Sequence, residues 1–501
     1  MNLKISEVLD LFPEIKLEDP KPNTEEEISF VRTDSRKLNA SDLFCVPLSL
    51  GEKGIEYAKN SSSRFVLISN TFEISKLENK VLLKSSVDPE SLAGPIASRI
   101  LGDPSSKMKV IGVTGTNGKT SLTHILAFLG ESQGKSCGII GTTGVKFKGR
   151  VVDTGYTTPD PASLQEILLE MSKDGVEYVF IETSSHGLKL GRTNGIRFKA
   201  GIFSNLTQDH LDFHPSMQDY LESKALLFSS LSSYENTFGV FDSEAPGGKD
   251  FASILPKIAP NLPVFALGSG EGEISVQDPN FSLERTVYNI DLPSTWKGNT
   301  EVVTNLLGGF NIRNTALAFV TSLALGWEKE KLLSSLKSIP QIPGRFQIYY
   351  SPDKTRMAVV DYAHTPDALE NILRSIRESR PKELIALFGC GGDRDRTKRP
   401  KMGKIAQDLA DKVILTSDNP RTESPESILD DIQEGFTGGY LPFLREADRA
   451  AAIRFGISAL AEGACLLVAG KGHEDYQIIG KEKRHFDDGE EIRKAFDSEQ
   501  K

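Results

Sequence analysis

Beyond residue 107 the apolar positions fall into a repeating order. The β-branched run from Lys109 to Val113 reads as a strand, and after a Gly-rich turn Leu122, Ile125, Leu126 and Leu129 recur at helical spacing. The order continues through a strand at Gly138 to Ile140, a helix from Pro161 to Lys173, strands at Val176 to Ile181 and Ala200 to Asn205, and a helix from about Ser216 to Leu231. A Gly/Ser/Pro-rich acidic stretch, 245–297, breaks the rhythm; short strands and loops are expected there, with Gly268 to Gly272 in a loop. After a helix near Asn311 to Leu325, Ile339 to Gly344 reads as a linker into a second series. Its strands are expected at Arg356 to Val360, Leu384 to Phe388, Lys412 to Thr416 and Ala464 to Val468. Repeated strand–helix units imply mainly parallel sheets covered by helices.

At roughly 150 residues per domain, 501 residues predict about three domains, with boundaries near 105 and 339. Hydrophobic residues at 38% and charged residues at 26% exclude wholesale disorder. The formal net charge of −10, without any basic block, argues against nucleic acid or an anionic membrane as partner, so an anionic ligand must be held by local positive sites. The first ten residues lack the apolar core of a signal peptide, and no apolar run approaches the ~20 residues of a membrane span, so a cytoplasmic protein is expected. Cys45, Cys137, Cys390 and Cys465 are far apart and form no Cys-x-x-Cys, which predicts reduced, mostly buried thiols.

The chemistry begins at Gly115-Thr116-Asn117-Gly118-Lys119-Thr120, where a strand feeds a helix. Backbone N–H groups and the helix N-terminus there can cradle phosphate, Lys119 adds a point charge and Thr120 a metal-ligating hydroxyl. The strict phosphate-loop pattern wants a glycine at the position of Val113, and the chain departs from it. Glu182 ends the strand Val179 to Ile181, followed by Ser184, Ser185 and His186, and the next strand ends in Asn205 to Asp212 with His210 beside the same edge. Parallel sheets present ligands at the carboxyl ends of their strands. Three successive ends carrying Lys-Thr, Glu and Asp-His point to a magnesium-nucleotide site rather than to capped loops.

These segments resemble the Mur ligase family, the ATP-dependent amide-forming enzymes of bacterial cell-wall assembly, a family that also includes folylpolyglutamate synthetases. Residues 115–120, Glu182 to Leu188, Asn205 to His210 and Leu307 to Asn311 with Asn314 look like its central domain, and Asp361 to Asp367 and Gly389 to Asp395 like its C-terminal domain. Asp418-Asn419-Pro420-Arg421 and Gly470 to Asp475 are similar to members that add meso-diaminopimelate. The resemblance implies three α/β domains: a smaller UDP-substrate-binding domain (1–105), a central ATP-binding domain with a P-loop-type, mostly parallel sheet (106–338), and a Rossmann-like amino-acid-binding domain (339–501).

It further implies a ligase that uses ATP and Mg2+ to convert the D-glutamate carboxylate of UDP-N-acetylmuramoyl-L-alanyl-D-glutamate into an acyl phosphate, which the amine of meso-diaminopimelate attacks. ATP would meet Gly115, Thr116, Asn117, Gly118, Lys119, Thr120, Asn311, Arg345 and Asp361, with Lys119, Glu182, His210 and Lys224 as the catalytic set. One Mg2+ would lie on Thr120 and Glu182, and a second on His210 with Lys224 as a carbamate. Ser35, Thr157, Thr158, Ser184 and Arg192 would take the UDP-sugar-dipeptide, although Pro47 to Gly54 lacks the family's His-Gln and Asp-Gly. The diaminopimelate pocket would comprise Arg394, Asp418, Asn419, Arg421, Gly470 and Glu474, Arg421 gripping the distal carboxylate while Asp418, Asn419 and Glu474 address the distal ammonium. A monomer is expected.

Taken without the resemblance, Lys224 could be a solvated helix lysine, Asp361 a helix cap, Asn311 a turn residue and Asp418 to Arg421 an ordinary turn. An L-lysine ligase, a folate polyglutamylating enzyme and a P-loop regulatory or transport ATPase remain as alternatives. The Asp-Asn-Pro-Arg turn speaks against the first two, and the third would not need Arg421 or Glu474.

Overall fold

The computed structural model describes residues 2–18, 23–74, 77–270, 273–282 and 285–498, in which the apolar runs become two large, mainly parallel sheets. The chain divides into two units, Met1–Ile274 with Leu317–Glu328, and Ser275–Ala316 with Lys329–Lys501. The first contains an eight-stranded sheet with Tyr178–Glu182, Lys109–Thr114 and Phe198–Phe203 as parallel neighbours at its centre. Val110, Ile111, Val113, Val179, Phe180 and Ile181 are all fully buried. Both faces are covered, so these strands read as continuous apolar runs and not as alternations.

The expected helices form at Lys119–Ser132, Pro161–Lys173 and Met217–Leu231. Leu122, Ile125, Leu126 and Leu129 are buried, as their spacing requires. Asp160 and Ser216 cap the second and third helices, accepting the Ser163 and Asp219 N–H groups. A five-stranded N-terminal sheet precedes them, in the order Ile15–Leu17, Val81–Ser85, Phe65–Ser69, Leu43–Cys45, Val31–Arg32. The boundary expected near 105 lies inside one unit because helix Pro89–Ile100 packs on Pro161–Lys173 and Arg32 forms a two-pronged ion pair with Glu166.

One expectation fails within 245–297. Gly248–Ile258 is a helix, with Phe251 and Leu255 buried and Ile254 and Ile258 packed against the same core. Its helical spacing was hidden by the flanking glycines and by Pro256 inside it. The rest of the stretch supplies the strand Val264–Leu267 and part of a three-stranded antiparallel sheet, Ser275–Phe281, Thr286–Asp291 and Asn299–Thr304. In the loop expected at Gly268 to Gly272, Glu271 and Gly272 lie outside the described residues.

The second unit holds a six-stranded sheet ordered Gln347–Tyr350, Met357–Asp361, Cys465–Ala469, Leu384–Phe388, Lys412–Leu415, Leu444–Arg445, antiparallel only at its first strand. Residues 339–344 carry no regular element, and the boundary expected near 339, like that near 105, lies inside one unit. All four cysteines are buried and unpaired, and no helix among the described residues is long and apolar enough to cross a membrane.

Candidate active site

In the first unit the loop 115–118 leaves the strand Lys109–Thr114 and opens the helix at Lys119, with Gly118 as N-cap. It is braced by the end of the neighbouring strand. Asn205 accepts the Thr116 N–H through its carbonyl and the Asn117 N–H through Oδ1, at 3.0 Å each, and Ser204 Oγ donates to Asn117 O at 2.6 Å. Two amides expected to cradle phosphate are therefore engaged within the protein. The positive end of the helix dipole and Lys119, whose Nζ lies 2.9 and 2.8 Å from the Gly115 and Thr116 carbonyls, are the anion-attracting features of the loop.

Glu182, fully buried, lies in register beside Val113. Its carboxylate accepts from Thr120 Oγ1 (3.0 Å), Thr142 N (2.9 Å) and Thr142 Oγ1 (3.1 Å). A Cβ on Gly141 would stand 2.1 Å from Glu182 Oε1, so glycine is what makes room for the carboxylate. Thr142 also meets Thr157 Oγ1 at 3.1 Å, while Thr158 Oγ1 donates to Glu182 O and pairs with Ser184 Oγ. Arg192 donates to Thr158 O at 3.3 Å, and its guanidinium lies over the exposed Tyr156 ring. Thr157, Thr158, Ser184 and Arg192 thus gather around Glu182, Thr157 through Thr142 and the others through Thr158.

His210 has a left-handed backbone, φ 54°, which a side-chain-bearing residue seldom adopts. Asp209 Oδ1 accepts its N–H, and the ring lies edge-on to His186, 4.9 Å between centroids. Burial lowers the His210 pKa, and burial together with His210 and His214 pushes His186 down to about 4. The loop is pinned by His214, which bridges Asp219 Oδ2 (2.7 Å) and Ser185 Oγ (3.0 Å). Lys224 is 1% exposed, and its Nζ sits 4.1 Å from the Tyr220 ring centroid. It is not a solvated helix lysine. Burial, with Lys119 adding to it, holds its amine well below the usual lysine range.

In the second unit the diaminopimelate candidates converge on the carboxyl ends of three adjacent strands. Arg421, also left-handed at φ 51°, donates from Nη1 to Gly392 O at 2.8 Å. Its Nε and Nη2 have no partner among the described residues. Gly391 stands between the side chains of Arg421 and Arg394, and Arg394 itself is exposed. Asn419 Oδ1 accepts the Ile478 N–H and its Nδ2 donates to Glu474 Oε2 at 2.8 Å. Asn419, expected to address the ammonium, orients Glu474. Glu474 lies 3.6 Å from the buried Lys471, and burial, with Asp418 nearby, raises its pKa. Gly470, at φ 116°, leaves space where a Cβ would come within 2.5 Å of Asp418 Oδ2.

Asp361 accepts the Phe346 N–H at 2.8 Å, and Thr365 caps the following helix in its place. Arg345 lies beside Asp361 and over the Tyr362 ring. Asn311, buried in the first turn of Gly309–Ala324, donates to Leu307 O and accepts from Asn314. Sequence reading passed over Thr142, Tyr156, His214 and Arg399. Arg399 is a fully buried cation bridging Glu423, Asp431 and Gly391 O beneath the Gly389 to Asp395 loop. Thr142 directly follows the strand Cys137–Gly141, a position that could have flagged it, whereas Tyr156, His214 and Arg399 stand at no strand end.

Two family descriptions match the chain: Mur ligase middle domain over residues 113–322, and Mur ligase, glutamate ligase domain over 344–472. The UDP-N-acetylmuramoyl-L-alanyl-D-glutamate--2,6-diaminopimelate ligase of Leptospira borgpetersenii serovar Hardjo-bovis is 56% identical over 499 residues, 99% of each chain. The chain belongs to the Mur ligase family. The like-named ligase of Leptospira interrogans is also 56% identical, over 99% of each chain. A solved structure of a UDP-N-acetylmuramoyl-L-alanyl-D-glutamate--2,6-diaminopimelate ligase covers 100% of both chains at TM-score 0.70 and 31% identity. Within the Mur ligase middle domain fall Lys119, Glu182, His210 and Lys224, and within the glutamate ligase domain Arg345, Asp361, Arg394 and Asp418 to Arg421. Glu474 lies just past the second match.

Proposed function

We propose that this Mur ligase joins meso-diaminopimelate to the D-glutamate of UDP-N-acetylmuramoyl-L-alanyl-D-glutamate, using ATP and passing through an acyl phosphate, as a monomer in the cytoplasm. The observation that carries the choice of amine is the Asp418 to Arg421 turn. Arg421 keeps an open two-nitrogen edge suited to a carboxylate, and Asp418 and the raised, Asn419-oriented Glu474 offer negative charge to an ammonium nearby. Lysine has the ammonium and lacks the carboxylate.

The proposed ATP contacts are residues 115–120, Asn311, Arg345 and Asp361, and Ser35, Thr157, Thr158, Ser184 and Arg192 are assigned to the UDP-sugar-dipeptide. Magnesium fits the donor set. Glu182 is a buried carboxylate served only by neutral donors, two of them hydroxyls, and Mg2+ commonly takes one or two protein carboxylates and completes its shell with phosphate and water. Thr120 and Glu182 would hold one ion, and His210 with a carbamylated Lys224 a second. Bound there, magnesium supplies the positive charge that lets a γ-phosphate and a carboxylate approach. The depressed Lys224 amine favours the neutral form, which adds CO2 and loses a proton to become the carbamate. Lys119 attracts the transferring phosphate, and Arg421 and Glu474 orient the amine for attack.

Phosphate release measured across candidate amines tests this reading. Turnover should require both the UDP-muramoyl-dipeptide and meso-diaminopimelate. Equal release without the amine would point to an ATPase, and equal use of lysine would remove the case for diaminopimelate.

A further inference from the structure

Beneath the amine pocket lies a cation that the proposed chemistry does not use. Arg449, the first residue of helix Arg449–Ser458, has a fully buried side chain. Its Nε and Nη2 donate to the two Asp488 oxygens at 2.7 Å each, a two-pronged pair between side chains with no exposure. The remaining contacts are unusual in their targets. Nη1 donates to Ser417 O at 3.2 Å and Nη2 to Ala469 O at 3.1 Å. Ser417 O is the carbonyl immediately before Asp418, and Ala469 O the one immediately before Gly470.

The strands Lys412–Leu415 and Cys465–Ala469 are not hydrogen-bonded neighbours, since Leu384–Phe388 runs between them. No ladder pairs these two strands directly, and the loops that leave their ends first meet farther on, at the Asn419–Glu474 hydrogen bond and the Arg421–Ile479 bridge. One planar guanidinium spans that gap, and Asp488, which opens the helix Asp488–Ser498, fixes the guanidinium in turn. We propose that Arg449 and Asp488 are positioning residues for amino-acid specificity: they set the separation of Asp418 from Glu474, and so make the last helix of the chain part of the amine pocket. This rests on the proposed function only for the identity of the amine.

Removing one member of a buried pair strands a charge, so the test needs a variant that avoids this. Arg449→Met with Asp488→Leu replaces the pair by apolar side chains of similar size, and Arg449→Lys keeps the opposite charges together while losing the planar fork that reaches both carbonyls. In both, KM for meso-diaminopimelate should rise about tenfold or more while KM for ATP and for the UDP-muramoyl-dipeptide stays within about twofold. Amide hydrogen exchange should accelerate over residues 417–421 and 470–474 and remain unchanged over 115–120. A folded double variant with an unchanged amine KM, or a parallel rise in all three KM values, would reduce the pair to a core ion pair and overturn the proposal. If the wild type uses another amine, the proposed function fails, and the exchange pattern alone decides: faster exchange in the two loops supports the strut, and unchanged exchange sinks it.

Discussion

At the carboxyl edge of one sheet, Glu182 is a buried carboxylate whose hydrogen-bond donors are all neutral; at the same edge of the other sheet, Glu474 lies beside Lys471 and is oriented by Asn419. The two carboxylates differ in what completes them. A buried carboxylate with no cation in direct contact is costly, which is why the proposed function places magnesium at Glu182. The Glu474 site is offset from within, by Lys471 next to it and Arg449 below, and needs only one more ammonium to bind. The first arrangement serves a reaction in which charge must change. The second suits recognition, where the charge pattern must be fixed in advance.

The comparison is broken most directly at the first site. Lys224→Ala should lower turnover on the order of 10²–10³-fold, the usual effect of deleting one electrostatic stabiliser. Short carboxylic acids should restore part of it by standing in for the carbamate, and intact-mass analysis of the wild type should show the added carboxyl group. Near-normal activity would make Lys224 a packing residue. Glu182→Gln should cause a loss of similar order, yet leave thermal stability without magnesium equal or higher, because Thr120 and Thr142 hydroxyls can turn to accept from the new amide. A clear drop in stability would show that the carboxylate is already satisfied without a cation.

At the second site the expected effect is smaller and selective. A charge-assisted contact is worth about 1.5–3 kcal/mol, so Arg421→Ala should weaken use of meso-diaminopimelate by about 10- to 100-fold and leave ATP affinity nearly unchanged. Lysine, without the distal carboxylate, should lose far less. Proportional losses in kcat/KM for both amines would mean that Arg421, with its left-handed backbone and its N–H on Ile478 O, only shapes the turn.

How legible each site was in the sequence follows from the same contrast. The Gly115 to Thr120 loop and Glu182 sit at strand ends, where the apolar runs stop, so pattern alone located them; Asp418 to Arg421 also follows a strand, but the family resemblance picked it out. Lys224 could not be separated from a surface lysine until its burial was seen, because Leu226 two positions later is exposed while Ala225 and Leu227 are buried. Thr142, His214, Arg449 and Asp488 act through hydrogen bonds to residues on other elements. Those contacts leave no periodic trace. Asn419 was found, but the bonds of its two amide ends to Ile478 and Glu474 were not foreseeable from a turn tetrapeptide. Gly248–Ile258 was missed because composition outweighed spacing.

The smallest effect is a pH dependence that isolates Glu474. Burial raises its pKa above the ordinary 4.5, Asp418 adds to this, and Lys471 and Asn419 oppose it. A raised acid is neutralised sooner as pH falls, so the pocket loses negative charge at a pH where an exposed glutamate would still be ionised. Other groups titrate over the same range, and the informative quantity is therefore the ratio of wild type to Glu474→Gln in kcat/KM for meso-diaminopimelate. That ratio should be constant near neutral pH and shrink toward one as pH is lowered, beginning above 4.5. Stability carries the opposite sign: the folded protein binds the Glu474 proton more tightly than the unfolded chain, so the wild type loses this stabilisation as pH rises through the raised value, and the Gln variant does not. A ratio that stays above one and flat down to 4.5 would mean that Glu474 is not raised, and a ratio of one throughout that the ammonium is held by Asp418 alone; in either case the internal charge balance drawn for this site would have to be redrawn.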